Sequence, residues 1–230
     1  MINMQDVREA FITKYKNKDF TLDKTGVRTV ELLGYSYIAD EEVLFGTLNR
    51  EYAEKELKWY ESQSLNVYDM PNPPKIWRQV CDKDGFINSN YGWMIFSKEN
   101  GEQYKHCLRE LRKNVDSRRA MMIYQRPSMQ EDYNRNGMSD FCCTNTVQVC
   151  VRNQGTLEAP EYRLHYIVNQ RSCDAIFGLK NDLFWHRHVM DKLVQDLQDD
   201  YKGIQKGNLI HQVGSLHVYE RHWKFIEEYL

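Results

Sequence analysis

An α+β fold is predicted from three observations. Helical and strand patterns are mixed along the chain, no regular β-α-β alternation runs through it, and composition is that of an ordinary globular protein, 41% hydrophobic and 28% charged. The 230 residues fit one domain, 1–230, with a substantial core. In order, residues 4–19 form an amphipathic helix, and 29–39 a strand rich in β-formers around Gly34. Residues 47–62 make a second helix. The segment 70–74, with three prolines, is a loop. Residues 101–114 read as helix, 120–126 as strand, and DYNRNGMSD at 132–140 as turn chemistry. Strands follow at 145–152 and 162–171, then a long helix at 182–202, a strand at 208–220 and a last helix at 222–229.

Composition narrows the function classes. A net charge of −2 is not that of a protein that coats nucleic acid, although a local arginine cluster suffices for a small anion. There is no apolar run of about 18 residues and no signal-peptide pattern, so a soluble, cytoplasmic protein without membrane contact is expected. The six cysteines form no C-x-x-C pair, and free thiols in a reducing compartment follow. With no H-E-x-x-H and no P-loop, neither a metal nor a nucleoside triphosphate is expected.

Three groups of residues carry candidate chemistry. In the second helix Leu48, Tyr52, Ala53, Glu56, Leu57 and Tyr60 fall on one stripe, and Glu56 is its one charge. Desolvation there would raise its pKa and suit it to proton transfer; otherwise it sits at the stripe's edge and reaches water. In SDFCCTNTVQVCV (139–151) a cysteine between turn and strand suits a partly exposed nucleophile. Spacing does not choose between Cys142 and Cys143, and a buried cysteine can equally be a small hydrophobe. The arginines of SRRA (117–120) and QRSCD (170–174) are forks able to hold a phosphate, or simply solvated surface.

These segments together resemble the thymidylate synthase superfamily over roughly residues 20–226. QRSCDAIFGLKND (170–182) is similar to its nucleotide-binding signature, GSLHVYERH (214–222) to its G-D-x-H-x-Y-x-N-H, and ELKWY (56–60) to its E-L-L-W-F. KIW (75–77) and NYGW (90–93) resemble two further segments. DKTGVRTVELLG (23–34), INSNYGW (87–93), DSRRAMMIYQRPSMQ (116–130) and GMSDFCCTNTVQ (137–148) resemble most the family's deoxycytidylate hydroxymethylase branch, an enzyme type of bacteriophages.

The resemblance implies a thymidylate synthase-like fold with a mixed β-sheet at a homodimer interface and flanking helices. It implies Cys143 as nucleophile, since that residue stands five before Gln148, and Glu56 as the catalytic carboxylate. Lys24, Gln148, Arg171 and Ser172 match substrate-binding positions, His217 and Tyr219 match groups on the sugar, and Arg118 and Arg119 match a pair that reaches the neighbouring subunit's phosphate. Trp77 and Asp174 match positions near the cosubstrate, 5,10-methylenetetrahydrofolate. Thr144 stands where synthases have histidine, as in the hydroxymethylase branch. The chain ends at Leu230 without the tail that closes synthase sites, which suits addition of water.

Asp182 aligns with the asparagine that holds uracil in synthases. A neutral carboxyl group can donate to N3 of cytosine and accept from its amino group, whereas a carboxylate would repel O4 of uracil. The expected reaction is therefore hydroxymethylation of dCMP for modified phage DNA. Action on CMP or dUMP, or a silent nucleotide binder, are the alternatives. Without the resemblance, Asp182 reads as the cap of a helix starting there.

Overall fold

The computed structural model describes residues 2–23 and 25–230, so Lys24 lies outside the described residues. In chain order the elements are α1 (Met4–Lys16), β1 (Thr21–Leu22), β2 (Arg28–Ile38), α2 (Arg50–Glu61), α3 (Lys75–Val80), α4 (Tyr91–Phe96), α5 (Gln103–Lys113), β3 (Met121–Ile123), α6 (Met129–Asp132), β4 (Thr144–Asn153), β5 (Tyr162–Asp174), α7 (Gly178–Asp196), β6 (Gln205–Tyr219) and α8 (Lys224–Glu227). They divide between two compact units: Met1–Leu48 with Val151–Leu230, and Asn49–Cys150. No helix among the described residues is long and apolar enough to cross a membrane.

The first unit holds a mixed sheet. β2 pairs antiparallel with β1 on one side and β6 on the other, and β6 runs parallel to β5. α1 begins with a capping box, Asn3 and Asp6 each bonding the other's backbone N–H, and packs on β2. α7 packs on β5 and β6. Val30, Leu32, Val168, Leu216 and Val218 from the sheet and Leu183, Val189 and Leu193 from α7 are buried. Removing each from water is worth about 1.5–3 kcal/mol.

One row of this sheet breaks the alternation of faces. Buried residues fall at 30 and 32 but then at 37 in β2, at 211 and 213 but then at 216 in β6, and at 168 and 170 but then at 173 in β5. A strand with strict two-residue periodicity cannot do this, so all three strands kink between those positions. Gly34, with φ +67°, supplies the left-handed backbone in β2. Gly214 supplies room in β6, because a Cβ there would lie 2.7 Å from the Arg171 carbonyl oxygen.

The second unit is mostly helical. Asn49 caps α2 by accepting from the Tyr52 N–H, and Asn90 caps α4 from the Trp93 N–H at 2.8 Å. α2 and α4 touch closely, and β3 pairs antiparallel with the start of β4. The buried Asp140 carboxylate holds the connecting loop by accepting from the backbone N–H groups of Asn88 and Ser89 at 2.8 and 2.7 Å.

Candidate active site

In the second unit Glu56 is buried, 6% exposed, on the apolar stripe of α2. Tyr52, one helical turn earlier, donates its O–H to Glu56 Oε1, and the Trp77 indole N–H reaches the same oxygen from α3 at 2.9 Å. Among the described residues, no hydrogen bond is made to Oε2. Burial raises the Glu56 pKa; the two donors and Lys55 oppose the shift without cancelling it. Trp77, matched in sequence to a folate position, thus also orients the glutamate, and its ring meets Trp59 edge-on at 5.2 Å.

The two adjacent cysteines differ sharply. Cys142 is fully buried and its thiol donates to the Thr144 carbonyl oxygen at 3.0 Å, whereas Cys143, just before β4, is half-buried. Thr144 in turn donates its hydroxyl to Tyr91 Oη at 3.0 Å. Gln148 lies on β4 opposite Met121, and its amide donates to the Arg118 carbonyl oxygen at 2.9 Å. The Arg118 and Arg119 side chains are exposed, and Arg119 meets Glu110 of its own chain at 3.0 Å.

In the first unit the nucleotide-matched residues lie at and beyond the kinked row. Arg171 is exposed beside Gly214, Ser172 is level with Ser215, and Asp174 is level with His217. His217 stands between Asp174 on β5 and Glu31 on β2 and meets the Tyr219 ring edge-on at 4.9 Å. Burial lowers the His217 pKa despite these two carboxylates. Asp174 accepts from the backbone N–H groups of Ile176 and Phe177 at 2.8 and 3.2 Å, turning the chain into α7.

Asp182 does not cap a helix. The helix expected at 182–202 spans Gly178–Asp196, which puts Asp182 inside its second turn. The start is hard to read because no side chain caps α7 directly; Asp174 does the turning from upstream. The Gln170 amide N–H donates to Asp182 Oδ2 at 2.8 Å, Gln170 Oε1 lies 2.7 Å from His211 Nε2, and His211 Nδ1 lies 2.7 Å from the Tyr37 hydroxyl.

Tyr52, Tyr91, Gln170, His211 and Tyr37, which bond to the candidate residues or to their partners, do not stand out in the sequence as candidates. Tyr52 had a usable signal, its i,i+4 spacing to Glu56. Gln170 stands next to Arg171 in the signature. Tyr37 and His211 meet only through the β2–β6 register.

Comparison with known proteins gives the family. The thymidylate synthase family model matches residues 11–230. The chain is 49% identical over 231 residues to the deoxycytidylate 5-hydroxymethyltransferases of Enterobacteria phages T4 and T6, covering 99% of this chain and 91% of those. It is 30% identical to a thymidylate synthase of Fusobacterium nucleatum over 76% of this chain and 58% of that protein. The solved structure of T4 phage thymidylate synthase superposes with a TM-score of 0.73 at 20% identity, over 99% of this chain and 79% of that one. The chain belongs to the thymidylate synthase family.

Proposed function

We propose that this protein transfers a one-carbon unit from 5,10-methylenetetrahydrofolate to C5 of dCMP with addition of water, giving 5-hydroxymethyl-dCMP and tetrahydrofolate in the cytoplasm of a phage-infected host. The likeness to the phage enzymes over 99% of the chain supports the reaction class. The observation that carries the choice of base is Asp182, a carboxyl group held on Oδ2 by a neutral amide donor.

Cys143 is the nucleophile. Its thiolate adds to C6 of the base and makes C5 nucleophilic. Half-burial suits an attacking thiol, whereas Cys142 is buried with its proton directed at a carbonyl. Asp182 donates to N3 and accepts from the amino group, and so supports the charge that develops on the ring. Glu56, with two donors on Oε1, keeps Oε2 for the water that adds to the exocyclic methylene group, and accepts its proton as the C–O bond forms. Loss of the C5 proton before that step, and expulsion of Cys143 after it, restore the aromatic base. Tyr91, bonded to Thr144 beside the nucleophile, is a further positioning residue.

Arg171 and Ser172 hold the phosphate, with Lys24, and His217 and Tyr219 hold the sugar. Gln148 fixes the Arg118 backbone, and Arg118 and Arg119 reach the phosphate of a second copy in a homodimer. Leu33, 70% exposed on β2, belongs to the sheet face such a partner covers.

The folate supplies the carbon at the oxidation level of formaldehyde. The residues fit it. Trp77, half-buried on α3, offers aromatic surface to a flat ring system. The deciding experiment is mass analysis of products from dCMP, CMP and dUMP, each with methylenetetrahydrofolate. Hydroxymethyl-dCMP as the dominant product is expected. Thymidylate from dUMP would overturn the role of Asp182, and no product from any of the three would leave a silent nucleotide binder.

A further inference from the structure

The hydrogen bonds behind Asp182 form a buried line that starts at a residue with no place in the reaction. Tyr37 is fully buried, His211 is 1% exposed and Gln170 is 3% exposed. They come from β2, β6 and β5, and Tyr37 lies opposite His211 in the β2–β6 register. The Tyr37 hydroxyl is 2.7 Å from His211 Nδ1, its hydrogen-bond partner, and the two rings meet edge-on at 5.2 Å.

The direction of every proton in this line follows from its far end. A buried phenol must give its proton to an acceptor, and His211 Nδ1 is the acceptor on hand. Burial raises the Tyr37 pKa well above the ordinary phenol value and lowers that of His211 to about 3, so the phenol keeps its proton and the imidazole carries one only. With Nδ1 accepting, the ring proton is on Nε2, which donates to Gln170 Oε1 at 2.7 Å. That pins the carbonyl end of the Gln170 amide toward His211 and its N–H end toward Asp182 Oδ2, at 2.8 Å.

We propose that Tyr37 and His211 are specificity-determining positioning residues, which act through the orientation of the Gln170 amide to decide which oxygen of Asp182 carries a proton. The inference deepens the reading of Asp182 as the base-recognising group and rests on it. With an N–H on Oδ2, that oxygen is the carbonyl-type acceptor and the carboxyl proton goes to Oδ1. The pair then presents a donor and an acceptor side by side. Oδ1–H meets N3 of cytosine and Oδ2 meets its amino group. Uracil offers N3–H to a donor and O4 to an acceptor, two mismatches at once. A reversed amide would place Gln170 Oε1 against Oδ2, draw the proton there, and leave Oδ1 to accept from N3–H of uracil. Selectivity is thereby set three hydrogen bonds away from Asp182 and four from the substrate.

The test is the double variant Tyr37→Phe/His211→Phe, which removes the Tyr37–His211 bond and the donor to Gln170 Oε1 while keeping two rings in the core. Calorimetric dissociation constants for dCMP and dUMP are measured on the full-length wild type, the double variant and Asp182→Asn, with thermal melts to establish folding. The ratio of the dUMP constant to the dCMP constant is expected to fall about tenfold in the folded double variant, mainly through weaker dCMP binding. An unchanged ratio, with both constants moved equally or neither moved, overturns the proposal. A double variant that does not fold transfers the test to the second measurement. In wild-type protein labelled with 15N-histidine, assigned against His211→Gln, the His211 resonances should be those of a neutral ring protonated on Nε2 from pH 5 to 8. A proton on Nδ1, or a doubly protonated ring, overturns the proton order. If Asp182→Asn itself leaves the ratio unchanged, it is the reading of Asp182 that fails; if Asp182→Asn lowers the ratio and the double variant does not, the relay alone fails.

Discussion

The indole N–H of Trp77 donates to Oε1 of Glu56 at 2.9 Å, so a residue matched to folate contact also tempers the acidity of the proposed catalytic carboxylate. The bond favours the ionised form and opposes the rise that burial imposes. Trp77→Phe removes it and should let the Glu56 pKa rise further. The acid limb of the kcat profile should then move to higher pH, measured under saturating substrates. A limb that stays in place or moves down contradicts this role.

Glu56 also carries a stability signature. A carboxyl group with a folded pKa above its unfolded value binds its proton more tightly in the native state. Its contribution is therefore fully present below the unfolded value and is lost as pH rises through the folded one. Glu56→Gln should match the wild type in urea melts near pH 4 and exceed it at pH 8. Turnover should fall by roughly two orders of magnitude, the usual cost of removing a general base. A variant less stable than wild type at pH 8 would count against the assignment.

The paired cysteines should separate cleanly. Iodoacetamide followed by peptide mapping should label Cys143 well before Cys142, which is fully buried. Cys143→Ser should bind dCMP and lose turnover by at least about 1000-fold. Cys142→Ala should keep the turnover of the folded protein while losing about 1 kcal/mol of stability. Near-normal activity in Cys143→Ser would exclude it as the nucleophile.

How much of this was legible in the sequence depends on length and distance. α2 and α5 could be read because three turns are enough to display a stripe, and Glu56 stood out as a charge on one. α3 and α4, six residues each, are too short to show a period, and the two-residue β1 has no pattern at all. The strand at 29–39 was expected around Gly34, but not the kink that Gly34 shares with two other strands. Tyr37, Gln170 and His211 look like unrelated polar residues of three strands, and only sheet register brings them together.

The proposed sharing of sites between two copies makes a prediction that needs no structure of the complex. A variant with Arg118→Ala and Arg119→Ala should be inactive, as should Cys143→Ser. Mixing equal amounts under conditions that exchange subunits should restore about a quarter of wild-type activity, because half the dimers are mixed and each has one intact site. Absence of recovery, with exchange verified by mass spectrometry, would place both arginines outside the neighbouring site.

Gly214 tests the kinked row. In Gly214→Ala the new methyl group would lie 2.7 Å from the Arg171 carbonyl oxygen, closer than real contacts allow. β5 must move, and Arg171 with it. A loss of about 1–3 kcal/mol in stability is expected. A several-fold rise in KM for dCMP, larger than that for folate, should accompany it. Unchanged nucleotide KM would separate the kink from phosphate binding.

Gly92 has a wider consequence. A Cβ there would lie 1.8 Å from the Tyr60 carbonyl oxygen, and the rings of Tyr60 and Tyr91 stack at 5.2 Å beside it. Helices α2 and α4 therefore mesh without slack, like two teeth cut to a single clearance. Glu56 rides on one, while Tyr91, at the start of the other, touches Thr144 next to Cys143. Neither helix can slide to suit a new ligand without dragging the other along.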